Sequence, residues 1–93
     1  MAVLTHEDIR EQLSSLEGWE LTTEGIRKEY RLNDFRSAVN LVNRVADLAE
    51  EANHHPDILI RYNRVRFTLI SHDAGGITEK DFDLAARIEA IAP

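Results

Sequence analysis

The 93-residue sequence contains no cysteine. Disulfides, zinc–thiolate sites, thiol nucleophiles and thiol redox switches are therefore excluded. Positive charge is also short: eleven Lys and Arg face seventeen Asp and Glu, a net charge of -6. Binding to nucleic acid by backbone neutralisation needs a basic footprint, so no nucleic-acid partner is expected. No apolar run approaches the ~18 residues of a spanning helix. The start, Met1 to Asp8, has no basic stretch ahead of an apolar one, so no signal peptide and no membrane partner are expected, and the expected location is cytoplasmic. Repeats, low-complexity stretches, phosphate-loop glycines and nucleophilic serine motifs are missing; Gly75-Gly76 is an isolated pair. What remains is an ordinary globular composition, 43% hydrophobic and 30% charged, long enough for one domain over residues 1–93. So small a domain has a thin core, and association of copies is an expected remedy.

Periodicity supplies the elements. Thr5 caps a helix over Thr5 to Leu16, with Asp8 at the capping-box position and Ile9, Leu13 and Leu16 on one face. Trp19 to Thr23 alternates as a strand, Glu24-Gly25 reads as a turn, and Ile26 to Leu32 alternates again. Asn33 or Asp34 caps a long helix to about Asn53, with an apolar stripe through Phe35, Ala38, Val39, Val42, Val45, Ala46, Ala49 and Ala52. Leu41 and Leu48 lie roughly 100° from that stripe's centre. Either the core stripe is wide or the two leucines form a seam against another subunit. Asp57 to Tyr62 and Val65 to Ser71 form a second hairpin around Asn63-Arg64. Pairing Tyr62 with Val65 puts Ile58, Ile60, Tyr62, Val65, Phe67 and Leu69 on one face. Thr78 caps the last helix, with Asp81 at the capping-box position. The order α-β-β-α-β-β-α predicts an α+β fold: a four-stranded antiparallel sheet with three helices on one face.

Chemistry concentrates on histidine, the side chain that titrates near neutrality without special tuning. The predicted register places residue i opposite 127 minus i, which sets His55 against His72. His54, His55 and His72 then gather at one end of the second hairpin. A helix C-terminus just before His54 favours a protonated imidazole, and mixed protonation supplies both a general acid and a general base. Three imidazoles are also a zinc ligand set, although adjacent residues of a strand point to opposite faces. Plainer roles compete: His54-His55-Pro56 as a corner, His72 as a strand end, Asp81 as a helix cap, Glu50 and Glu51 as a solvated helix face. His6, in a first helical turn, reads as surface. Arg61, Arg64 and Arg66 cluster on the second hairpin, where they protect an edge or steer a ligand.

Several motifs then combine. Glu50-x-x-Asn53-His54-His55-Pro56, Tyr62-Asn63-x-Val65, Leu69-x-Ser71-His72 and Gly76-Ile77-Thr78-x-x-Asp81 resemble the signature of the pterin-4a-carbinolamine dehydratases, along nearly the whole chain. The resemblance implies removal of the 4a-hydroxyl of a tetrahydropterin as water, giving the quinonoid dihydropterin and recycling the cofactor of aromatic amino-acid hydroxylases. It implies no metal and no cofactor, and a pterin as substrate. By position it makes His54, His55 and His72 catalytic, and Asn53, Pro56, Ser71, Asp73 and Asp81 substrate-binding. It further implies dimers through sheets and tetramers through the long helix, so a homodimer or homotetramer. Two positions depart from the family's habit: Asn53 stands for an aspartate and Ile58 for a tryptophan. A second expectation is a dehydratase-like binding module, holding a pterin or a protein with vestigial activity.

Overall fold

The computed structural model describes residues 2–93. Helix α1 (His6–Leu13) starts at the Thr5 cap, whose hydroxyl accepts from Asp8 N–H at 3.1 Å while the Asp8 carboxylate reaches back to Thr5 N–H. It ends before the expected Leu16. Ser14 and Ser15 donate their hydroxyls to the carbonyls of Glu11 and Gln12, taking acceptors that a further turn needs. Strands β1 (Glu20–Thr22) and β2 (Gly25–Arg31) follow. Their turn is Thr23-Glu24, one residue earlier than expected, because Gly25 belongs to the strand. A Cβ there would lie 2.2 Å from the Leu69 carbonyl oxygen, so only glycine admits the neighbouring strand so closely.

Helix α2 (Phe35–Ala52) is capped by Asp34, which accepts from Ser37 N–H at 2.8 Å. Strands β3 (Asp57–Arg61) and β4 (Arg64–Leu69) and helix α3 (Glu79–Ile91) complete the order α-β-β-α-β-β-α. The sheet is antiparallel in the order β1-β2-β4-β3. Its covered face buries Ile26, Val65, Phe67 and Leu69 against Val45, Leu84 and Ile88 of the helices; its other face carries Arg27, Arg31, Arg64 and Arg66.

Two expectations need correction. The second hairpin pairs Arg61 with Arg64 and Ile60 with Val65, so its turn is Tyr62-Asn63 and partners sum to 125, not 127. Asn63 is pinned there: its backbone oxygen accepts from Leu32 N–H and its side chain donates to Leu32 O. A shift of two keeps every side chain on its face, so hydrophobic alternation cannot tell the two registers apart. The other correction concerns α2. Leu41 is only 3% exposed and Leu48 packs on the same core, so they are core residues. Phe35, Val39 and Ala46, expected in the core stripe, stay outside it: Phe35 is 54% exposed, Ala46 exposed and Val39 half-buried, while Val42 packs on the core, so the outward residues form a stripe of their own at helical spacing.

Candidate functional site

The site lies where α2 hands over to β3. The last helical residue is Ala52; Asn53 then takes a left-handed conformation, φ 51°. Asparagine tolerates that region better than most residues, which gives Asn53 a backbone reason to stand where a charge was expected. The reversal, fixed by His54 N–H donating to Ala49 O at 3.0 Å, turns His54 inward and leaves His55 outside. Across from them the chain leaves β4 and closes a small loop. Ser71 and Gly76 form an isolated bridge, and Ser71 O accepts from the N–H groups of Ala74, Gly75 and Gly76. Gly75, at φ 78°, makes that closure possible. The loop presents His72 and Asp73, both exposed.

A cavity of about 470 Å³ opens between these two segments, lined by Asn53, His54, His55, Ser71, His72 and Asp73 together with Ile70, Ala74 and Lys80. The three histidines thus meet, though not through the expected pairing of His55 with His72: neither belongs to a strand. Pro56, Asp81 and Ile58 do not line the cavity, and His6 stays in α1 away from it.

Asp81 sits behind the cavity wall, 0% exposed. Its Oδ1 lies 2.5 Å from His54 Nε2. Its Oδ2 accepts from Ser71 Oγ and from Thr78 N–H, both at 2.9 Å, and the Ser71 and Thr78 hydroxyls pair at 2.7 Å. A carboxylate oxygen only accepts, so the shared proton sits on His54 Nε2. That leaves Nδ1 as the proton-accepting nitrogen of the neutral ring. Asp81 is therefore cap and site residue together: its reach back to Thr78 starts α3, and its other oxygen orients His54. His55 has a looser arrangement. Its Nε2 lies 2.5 Å from Glu50 Oε2, with the imidazole 57% and the carboxylate 76% exposed.

Sequence reasoning missed three participants. Glu50 stands on a solvated helix face as expected, and its carboxylate also pairs with His55. Thr78 was read as a cap alone, yet its hydroxyl braces Ser71. Lys80, one residue before Asp81 on α3, lines the cavity, and no spacing signals it. Among the described residues no group of three His, Asp or Glu side chains has the arrangement of a metal ligand set, and no helix is long and apolar enough to cross a membrane.

Known proteins resemble this chain along nearly its whole length. Residues 2–91 match the sequence profile of the family described as pterin 4 alpha carbinolamine dehydratase. A provisionally named pterin-4-alpha-carbinolamine dehydratase of Acidobacterium capsulatum is 57% identical over 91 residues, covering 98% of this chain and 99% of its own. One of the same name from Sulfurisphaera tokodaii is 45% identical, with 98% of each chain covered. The crystal structure of a transcriptional coactivator/pterin dehydratase from Brucella melitensis superposes with a TM-score of 0.94 at 35% identity, over 99% of this chain and 100% of that one. A pterin dehydratase-like protein described as a RuBisCO assembly factor in the alpha-carboxysome shares the fold alone, at TM-score 0.66 and 23% identity, over 80% of this chain and 88% of that one. With the histidines gathered in the fold these relatives share, the chain belongs to the pterin 4 alpha carbinolamine dehydratase family.

Proposed function

We infer that the protein dehydrates a 4a-hydroxytetrahydropterin by histidine acid–base catalysis. The observation that carries this reading is the buried Asp81 carboxylate holding His54 at the wall of a cavity that His55 and His72 also line. The reaction breaks the bond from carbon 4a to its hydroxyl oxygen and forms the double bond between nitrogen 5 and carbon 4a. One group must protonate the departing hydroxyl and another must take the proton from nitrogen 5. His54, its Nε2 proton committed to Asp81, is the base. His55 and His72, less constrained and nearer solvent, are the source of the acid. Asn53, Ser71 and Asp73 bring amide, hydroxyl and carboxylate groups to the cavity for the pterin's donors and acceptors. Pro56 fixes the exit of the histidine corner, since proline restricts the residue before it. The reading uses no metal and no cofactor. The product suits recycling of the pterin of an aromatic amino-acid hydroxylase, and the cysteine-free sequence suits the cytoplasm.

The test is conversion of chemically generated 4a-carbinolamine, followed by absorbance. Purified protein should speed the loss of water well above the spontaneous rate, and a chelator should not slow it. No acceleration, or activity removed by chelator and restored by zinc, would overturn the reading.

The exposed stripe of α2 supports the homo-oligomer, with the stripe as the seam in place of Leu41 and Leu48. Burying a side chain such as Phe35 is worth roughly 1.5–3 kcal/mol. Phe35→Glu with Val39→Glu should therefore lower the mass seen by sedimentation while the circular dichroism of the protomer persists. A wild-type monomer at micromolar concentration would contradict this assembly.

A further inference from the structure

The sheet face turned away from the helices is ordered by charge. In register across the strands, Glu20 stands opposite Arg27, and Glu29 opposite Arg66. These rows are neutralised internally, with guanidinium–carboxylate separations of 3.3 Å and 3.9 Å. The next row is not. Arg31 pairs with Arg64 and Arg64 with Arg61, which puts three exposed arginines side by side on neighbouring strands, spanning ~10 Å at the usual strand spacing. None of the three makes an ion pair among the described residues. Like charges directly opposite each other destabilise a sheet, so this row costs the fold stability and earns nothing inside it.

The row has a continuation. Arg31 also lines a cavity of about 370 Å³ between the start of α2 and the end of α3, together with Asn33, Asn40 and Arg44. No acidic side chain lines that cavity, and Arg44 makes no ion pair among the described residues. Arg31, at the end of β2, thus borders both the arginine row on the outer face and, on the helix side, the cavity that Arg44 lines. At the hairpin end Tyr62 is 68% exposed and held at φ 52°, a backbone region uncommon for a bulky residue.

We propose that this row of three arginines, with Arg44 beyond the end of β2, docks a short carboxylate-rich segment of a protein partner. Guanidinium groups bind carboxylates in bidentate fashion, and three at strand spacing match successive acidic side chains laid across the sheet. A long polyanion fits less well. With seventeen acids against eleven bases, the surface beyond these arginines is acidic and repels a chain that runs past them.

The experiment measures fluorescence anisotropy of a labelled oligoglutamate peptide against the full-length protein. Binding should weaken as salt shortens the Debye length. Replacing Arg31, Arg61 and Arg64 together by glutamine should weaken it at least about tenfold, since each exposed charge contributes a few-fold. Arg44→Gln should cause a smaller loss, and Arg10→Gln on α1 none. Arg64→Gln alone, with like-charge repulsion relieved, should raise Tm while lowering affinity. Absence of binding by the wild type at low salt would overturn the proposal. So would a triple variant that is folded by circular dichroism and binds as well as wild type, or oligothymidylate binding more tightly than oligoglutamate through the same arginines.

Discussion

Asp81 and Glu89 lie on the same helix, α3, about two turns apart, and each collects hydrogen bonds from other elements. Asp81 takes His54, the Ser71 hydroxyl and the Thr78 amide. Glu89 Oε1 takes Lys28 Nζ at 2.8 Å, Trp19 Nε1 at 3.2 Å and the Tyr30 hydroxyl. Burial pushes Glu89 up, but the bonds from Lys28, Tyr30 and Trp19 outweigh it and hold the carboxyl below the usual glutamate range. Burial, and then Glu89, pushes the Tyr30 hydroxyl above the usual tyrosine range. None of the partners of Glu89 lines the cavity of the histidines, so this cluster only ties the first hairpin to α3. One partner of Asp81 is an imidazole, which has a second ring nitrogen to give or take a proton, and that imidazole lines an open cavity. The same acceptor device is a fastener in one place and a positioning group in the other. The partner's chemistry and access decide which.

The largest expected difference lies in turnover. His54→Ala or His72→Ala should lower it by on the order of 10²-fold or more, the scale of a lost acid or base, while His6→Ala should match wild type. Equal rates for all three variants would erase the contrast between the cavity and the rest of the chain. Asp81→Asn keeps the shape but offers His54 an amide, so turnover should fall by about tenfold or more and stability by about 1–3 kcal/mol. An unchanged rate with the same loss of stability would make Asp81 a fastener too.

Glu89→Gln should leave turnover unchanged and cost about 1 kcal/mol at neutral pH, discounted for partial exposure. The sign follows from a depressed carboxyl. Its stabilisation is whole above the unfolded value of ~4.3 and is lost as pH falls through the lower folded value. Denaturation curves of wild type and Glu89→Gln should therefore converge in acid, and a gap that widens there would refute the account of the cluster.

Much of this was legible in the residues. Alternation and helical spacing gave all seven elements, because burial on one face imposes those periods. The gathering of His54, His55 and His72 was legible too, but by a register that was off by two, since alternation fixes the face and not the partner. Fixing the partner took Asn63, whose bonds reach Leu32, thirty-one residues away and just past the end of β2. Asp81 was legible as a cap and, by resemblance, as a site residue. That one carboxylate fills both roles depends on two oxygens facing different elements, which spacing cannot express. Leu41 and Leu48 look like a second seam in the sequence because an angle of ~100° on a helical wheel places Leu41 beside the core stripe without telling on which side α3 packs.

The most direct test of Asp81 acting through His54 is a double-mutant cycle on turnover. Single-turnover dehydration of the carbinolamine would be followed for wild type, Asp81→Asn, His54→Ala and the double variant, all at one pH, with circular dichroism confirming that each is folded. Groups that act as one unit are not additive. The double variant should therefore be no slower than His54→Ala alone. Losses that multiply, with Asp81→Asn costing as much without His54 as with it, would contradict the account.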